Sequence, residues 1–219
     1  MVKLSDIVLI VTAYMIGSIP TAVWIGRVFF RTDIREHGSG NAGATNTLRT
    51  LGKKAGLVVL IIDILKGWLA VGLICLSGYA SGSAQWILLE VTMAIAAILG
   101  HIFPIYVGFK GGKGVATLFG MILAIQPLVA LYCVGVFLLC LYLTRFVSLS
   151  SILASIAFAV LILFIFNEKE PLYRFFSIAV ALLVILTHQK NISRMLRGSE
   201  SKIPILKYRD KKRPRRAGS

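Results

Sequence analysis

Residues 115–143 read VATLFGMILAIQPLVALYCVGVFLLCLYL, 29 residues with no charge and with Gln126 and Pro127 near the middle. A membrane-spanning helix needs about 20 apolar residues, with a usable range of roughly 17–25. The run is therefore too long for one span and short for two, and the way it divides decides the fold. Further apolar blocks lie near residues 4–28, 55–78, 86–107, 150–166 and 171–188. The chain is 57% hydrophobic and only 15% charged, against about 45–50% and 25% in soluble domains. Its mean hydropathy is +0.83. A core of this size cannot hide that surplus, so the composition implies an all-α integral membrane protein that crosses the bilayer several times.

Lys and Arg concentrate in 29–54, 108–114 and 188–219, while 79–85 carries none. If 115–143 is one span, the first two basic segments and the basic tail fall on opposite sides of the membrane. Breaking it at Pro127 puts all three on the cytoplasmic side, which the positive-inside rule favours. The expectation is seven transmembrane helices, two of them short, with the N-terminus outside and the C-terminus in the cytoplasm. Each half of the broken run would have about 14 residues and reach about 21 Å, against a hydrocarbon core about 30 Å thick. A thinned bilayer or a re-entrant hairpin buried in protein would accommodate it. The N-terminal block runs on through GSIPTAVWIGRVFF without a clear cleavage site and reads as the first span rather than a signal peptide. Residues 1–203 form one membrane domain; 204–219 read as a basic, disordered cytoplasmic tail.

The net charge of +15 is explained by topology and by anionic lipid, and no nucleic-acid partner is expected. Cys75, Cys133 and Cys140 all lie in apolar blocks with no C-x-x-C pair, which suggests packing rather than disulfides or zinc. No carboxylate or histidine cluster has metal-ligand spacing, so neither a metal nor a cofactor is expected.

Three polar segments fall on the cytoplasmic side. The first, DIREHGSGNAGATNTLR (33–49), contains G-x-G-x-x-G, but it follows a membrane helix rather than a strand, which rejects a dinucleotide site. What remains is a loop in which Gly38, Gly40 and Gly43 could turn N–H groups together around a phosphate. Ser39, Asn41, Thr45 and Asn46 would add neutral donors, and Arg49 a bidentate cation. A flexible linker is the alternative. The second, GHIFPIYVGFKGGKGVAT (100–117), lacks Walker spacing. Gly108, Lys110, Gly111, Gly112, Lys113 and Gly114 precede a helix start near Val115 and Thr117, a combination suited to an anion. His101, within the membrane, could join the site or only bond a carbonyl. In the third, THQKNISRMLRGSESK (187–202), His188, Asn191 and Arg194 recur every three residues on one helix face. Glu200 is read as pairing with a nearby cation. The Asn191-Ile192-Ser193 sequon is irrelevant on the cytoplasmic side. Asp63 and Lys66, three apart in the second span, suit a structural ion pair or an intramembrane functional site. Ser148, Ser150 and Ser151 could cap a helix, or Ser150 could turn a hydroxyl to the site.

Together GSGNAGATNTLR, GHIFPIYVGFKGGKGVAT and HQKNISRMLRGSE, with GSIP and DILKG, resemble the bacterial acyl-phosphate-dependent glycerol-3-phosphate acyltransferases, the PlsY family. The likeness covers nearly the whole chain up to about residue 203. It implies seven helices in the bacterial inner membrane and acyl transfer from acyl phosphate to the 1-hydroxyl of glycerol 3-phosphate, yielding lysophosphatidic acid and phosphate. It places essential roles on Ser39, Arg49, His188 and Asn191. It also places glycerol 3-phosphate binding on the 108–114 loop and a structural role on Glu200. A soluble phosphate acyltransferase that makes acyl phosphate would be a partner. His188 could serve as general base or only position a phosphate. A transporter of an organic phosphate is the alternative function, disfavoured by the absence of an inverted repeat.

Overall fold

The computed structural model describes residues 3–203; the basic tail at 204–219 lies outside them. Among the described residues every regular element is helical. Helix α1 (Leu4–Gly17) and helix α2 (Thr21–Phe30) form one bent apolar pair, kinked by 42°. The first expected span is thus broken at Ser18-Ile19-Pro20, where proline cannot donate into the helical ladder. A short helix, α3 (Ala44–Thr50), leads into α4 (Lys53–Gly72), which tightens into a 3₁₀ turn at Leu73–Leu76. Helix α5 (Ala84–Ile102) starts at Ser83, whose hydroxyl accepts from the Trp86 amide at 3.3 Å. Helices α6 (Val115–Ile125) and α7 (Pro127–Thr144) follow, then α8 (Val147–Val160) with a π turn at Leu161–Ile165, α9 (Pro171–Thr187) and α10 (Gln189–Leu196). Helices α9 and α10 bend by 57°.

The 115–143 run does break at Pro127, which occupies the first turn of α7. Proline restricts the residue before it, and Gln126 is non-helical at φ −138°, ψ 72°. The halves are unequal, however: α6 has 11 residues and α7 has 18. Helix α7 is long enough to cross a bilayer, whereas α6 reaches only about 17 Å.

Small residues set the helix crossings. A methyl group on Gly67 would strike the Thr117 backbone, and one on Gly120 the Ile64 backbone, so α4 and α6 pack backbone to backbone. Gly17 against Ala97 and Gly100 against Tyr14 do the same for α1 and α5. In lipid, where apolar burial gives helices little reason to associate, such close approach supplies the packing energy. Outward faces carry large apolar side chains such as Leu131, Leu139, Phe164 and Phe175. The protein is an integral membrane protein with a lipid-facing exterior.

Contacts made by the connecting segments and the helix ends beside them fall into two groups. Residues 33–49, 107–113, 145–148 and 191–203 touch one another through side-chain and backbone bonds. In a second group, the 77–83 turn is bonded to α1 through Tyr79 and Asp6 at 2.8 Å, the 166–170 turn to Gln126 through Glu168 at 3.2 Å, and near the start of α9 Tyr173 donates to Glu90 of α5 at 2.5 Å.

Candidate active site

The first group of connections builds the site. Loop 33–43 is ordered from within. Asn46, buried in α3, accepts from the Ser39 amide at 2.9 Å and donates to the carbonyls of Ile34 and His37, each at 3.0 Å. Gly38 has φ 61°, the left-handed region that favours glycine. A side chain there would also strike the Asn46 carboxamide. The loop is locked to its neighbour by Arg35, which pairs with Asp33 at 2.8 Å and donates to the carbonyls of Val107 at 2.9 Å and Lys110 at 3.3 Å. The Arg35 guanidinium, with the Arg35 amide and Arg27, holds the Asp33 carboxyl well below the ordinary carboxylate range, against the opposing effect of burial.

Four amides of the two glycine loops are already paired within the protein. The Gly40 amide is bonded to His37 O, and the Ser39 amide to Asn46. In the second loop the Gly111 and Gly112 amides donate to the Ile102 and His101 carbonyls at 3.0 and 3.2 Å. These N–H groups hold the loops' shape, and the Asn46 carboxamide is spent in the same way. The amides of Gly38, Asn41, Gly43, Lys113 and Gly114 take part in none of these bonds, and with the first turn of α6, where helix geometry leaves amides unpaired, and the side chains around it they are the donors left for an anion.

Those side chains converge from four elements. Lys113 donates to the Asn191 carboxamide oxygen. The Asn191 amide donates to Glu200 at 2.7 Å, as do the Arg194 guanidinium at 2.7 Å and the Ser148 hydroxyl at 2.9 Å. Arg49 reaches the Ser201 carbonyl at 2.8 Å. Residues 199–203 form a strap across this cluster, pinned at its far end by the Ile203 amide on Arg145 O at 2.9 Å. Burial would raise the Glu200 carboxyl, but the bonds from Arg194, Asn191 and Ser148 prevail and hold it below its usual value. Burial pushes the Lys113 ammonium down to about 8, opposed by Glu200 and reinforced by Arg194 and Arg49. His188, at the α9–α10 bend, has Nδ1 2.7 Å from the Val184 carbonyl. A carbonyl only accepts, so Nδ1 carries the proton and Nε2 keeps the lone pair.

Lys113, Asn191, Glu200 and Arg49 are thus brought together, with Ser148 and Arg194. Gly114, at the N-cap of α6, has φ 81°. Ser39, Gly40, Gly108 and Lys110 are exposed on the loops, and Asn41, Gly43 and Thr45 are partly exposed. Ser150 is fully buried, with its hydroxyl on Phe146 O at 2.8 Å, and does not face an anion. His101, Thr117, Asp63 and Lys66 lie buried beneath the loops. The pattern of the sequence did not single out Arg35, whose role depends on carbonyls more than 70 residues away.

Fold and site together define an all-helical membrane protein with a cation-rich polar site where its connecting segments meet. The chain belongs to the glycerol-3-phosphate acyltransferase family: the family profile of that description matches residues 7–198. It is 44% identical over 204 residues to the glycerol-3-phosphate acyltransferase of Streptococcus pneumoniae (strain Taiwan19F-14), covering 90% of this chain and 93% of the relative. It is 42% identical to that of Enterococcus faecalis (strain ATCC 700802 / V583), covering 90% and 91%. Its fold is similar to the crystal structure of PlsY (YgiH), an integral membrane glycerol 3-phosphate acyltransferase, in the glycerol 3-phosphate form. That match has a TM-score of 0.82 and 36% identity, over 91% of this chain and 96% of the other. The lysophosphatidic acid form of PlsY matches with a TM-score of 0.79.

Proposed function

We propose that the protein transfers a fatty acyl group from acyl phosphate to the 1-hydroxyl of glycerol 3-phosphate, giving lysophosphatidic acid and inorganic phosphate. Relatives carry the glycerol-3-phosphate acyltransferase name, and PlsY has been captured with both glycerol 3-phosphate and lysophosphatidic acid. The observation that carries the reading is the Lys113–Asn191–Glu200–Arg194 network beside Arg49, with the His188 ring fixed in the tautomer that leaves Nε2 free. Acyl phosphate is an activated anhydride and needs no covalent acyl-enzyme. The glycerol C1 oxygen attacks the acyl carbon, the bond to the phosphate oxygen breaks, and phosphate leaves with the electron pair. His188 Nε2 takes the hydroxyl proton. Arg49, Lys113 and the α6 amides stabilise charge on the oxyanion and the departing phosphate, while Ser39 and Asn191 orient the substrates. Glu200 and Arg194 keep Asn191 and the strap in place.

Seven crossings, with the site on the cytoplasmic face of the bacterial inner membrane and the N-terminus outside, fit the two groups of segment contacts. In that arrangement α6 makes the short crossing. A soluble enzyme that makes acyl phosphate would supply the donor.

The test uses purified protein, labelled glycerol 3-phosphate, and either palmitoyl phosphate or palmitoyl-CoA. Lysophosphatidic acid from the phosphate donor alone is the expected result. Product from the CoA thioester alone overturns the donor. No product from either donor, with glycerol 3-phosphate carried into sealed vesicles, points to a transporter.

A further inference from the structure

Beneath the loops lies a second polar cluster that the chemistry above does not use. Thr21, Asp63, Lys66, His101 and Thr117 come from four different helices, and none is more than 6% exposed. Asp63 Oδ1 pairs with Lys66 at 2.8 Å and accepts from Thr21 at 3.0 Å. Lys66 also donates to Ile19 O at 2.7 Å, a carbonyl at the α1–α2 kink. The pair therefore clamps the bend from which α2 runs to the first loop. His101 lies on the other side of the cluster, with Nδ1 3.0 Å from the Thr117 hydroxyl and 3.9 Å from Asp63 Oδ1.

The opposite edge of the imidazole meets the second loop. A methyl group placed on Gly112 would collide with His101 Nε2 on one side and lie 2.9 Å from the Ala42 carbonyl on the other. The imidazole edge and the Ala42 carbonyl of the first loop therefore both crowd the space at Gly112 and leave no room for a side chain. An ion pair serving stability alone would need only Asp63 and Lys66. It would need neither a histidine against Gly112 nor a glycine with no room for a side chain.

We infer that His101, oriented by the Thr117 hydroxyl, is a positioning residue that fixes the spacing between the two glycine loops and thereby the grip on the phosphate of glycerol 3-phosphate. The inference rests on the proposed function. Misplacing a binding group by about 1 Å can cost on the order of 100-fold, so a small shift of Gly112 is a large functional change.

The test measures KM and kcat for glycerol 3-phosphate, its binding by calorimetry and the melting temperature, in parent protein and in T117V, H101Q, H101A and G112A. Thr117→Val removes the hydroxyl at constant volume, so it keeps the test valid if His101→Ala fails to fold. Expected for T117V is a KM raised about tenfold with kcat within threefold and an unchanged melting temperature. G112A raises KM more, and H101Q retains more affinity than H101A. Unchanged KM in T117V, or losses that only follow melting temperature, overturn the inference. A fall in kcat at constant KM overturns it too, by placing His101 in the chemistry. If the parent binds glycerol 3-phosphate without turnover, the acyl-transfer reading fails and the binding constants still decide the role of His101. If the parent does not bind it, both fall.

Discussion

At the scale of single residues the ring of His188 has one job available for each nitrogen. Nδ1 is held by Val184 O, so only Nε2 can receive a proton from substrate. His188→Gln keeps a polar group of similar reach but no base. Its kcat should fall by about 100- to 10,000-fold, the usual contribution of general acid–base catalysis, with KM changed little. A raised KM at normal kcat would make the ring a phosphate holder. Lys113 gives a pH signature. Its ammonium loses its proton near pH 8 in the free protein, so the cation that attracts phosphate is present below that pH and fades above it. Because kcat/KM reports free-enzyme ionisations, it should fall about tenfold from pH 8 to 9.5. Lys113→Arg should remove that break, since guanidinium stays charged throughout. Residue types were easy to pick from the sequence here, because glycines, cations and histidine stood out against apolar blocks. Their partners were not. Asn46 read as a phosphate donor, yet its carboxamide is spent on Ser39, Ile34 and His37. Nothing in local spacing reveals which way an amide turns.

At the scale of elements, the α4–α6 crossing links stability to function. Gly120 and Gly67 let the two backbones touch, and Thr117 sits on that seam. Gly120→Ala pushes the helices apart and should cost about 1–3 kcal/mol, typical of overpacking, read as a lower melting temperature in detergent. The break at Pro127 was legible because proline lacks an N–H and constrains its predecessor. The kink at Pro20 had the same signal, but it was lost inside a long apolar block read as one span. The unequal lengths of α6 and α7 were also hidden, because the residues from Val115 to Leu143 are apolar on both sides of the break. Where α6 starts is decided by Gly114 and by the loop lying over His101, which are tertiary facts.

At the scale of the whole molecule, the sorting of connecting segments into two groups makes a topological prediction. In a chain with Cys75, Cys133 and Cys140 replaced by serine, single cysteines at Ser81 on one side and at Lys54 and Lys190 on the other should divide cleanly when intact cells are treated with a membrane-impermeant maleimide. These positions are exposed. Residue 81 should be labelled from outside, and residues 54 and 190 only after the cells are opened. Labelling of 54 or 190 from outside would reverse the orientation. The membrane class was plain from composition, since a chain 57% hydrophobic has nowhere else to put that surface. The meeting of segments from Asp33 to Ile203 was legible only through the charge rule, which says which side a loop is on but not what it touches.

The strap at 199–203 has a consequence in the order of synthesis. Ribosomes make chains from the N-terminus, so every membrane helix among the described residues is complete before Glu200 and Ser201 emerge. Until they do, Asn191, Arg194 and Ser148 lack their shared carboxylate, and Arg49 lacks the Ser201 carbonyl. A nascent chain can therefore be fully inserted in the bilayer while its phosphate-handling groups stay unassembled. Activity then waits until Glu200 and Ser201 have emerged, and a product stopped at Leu196 should insert normally yet remain inert.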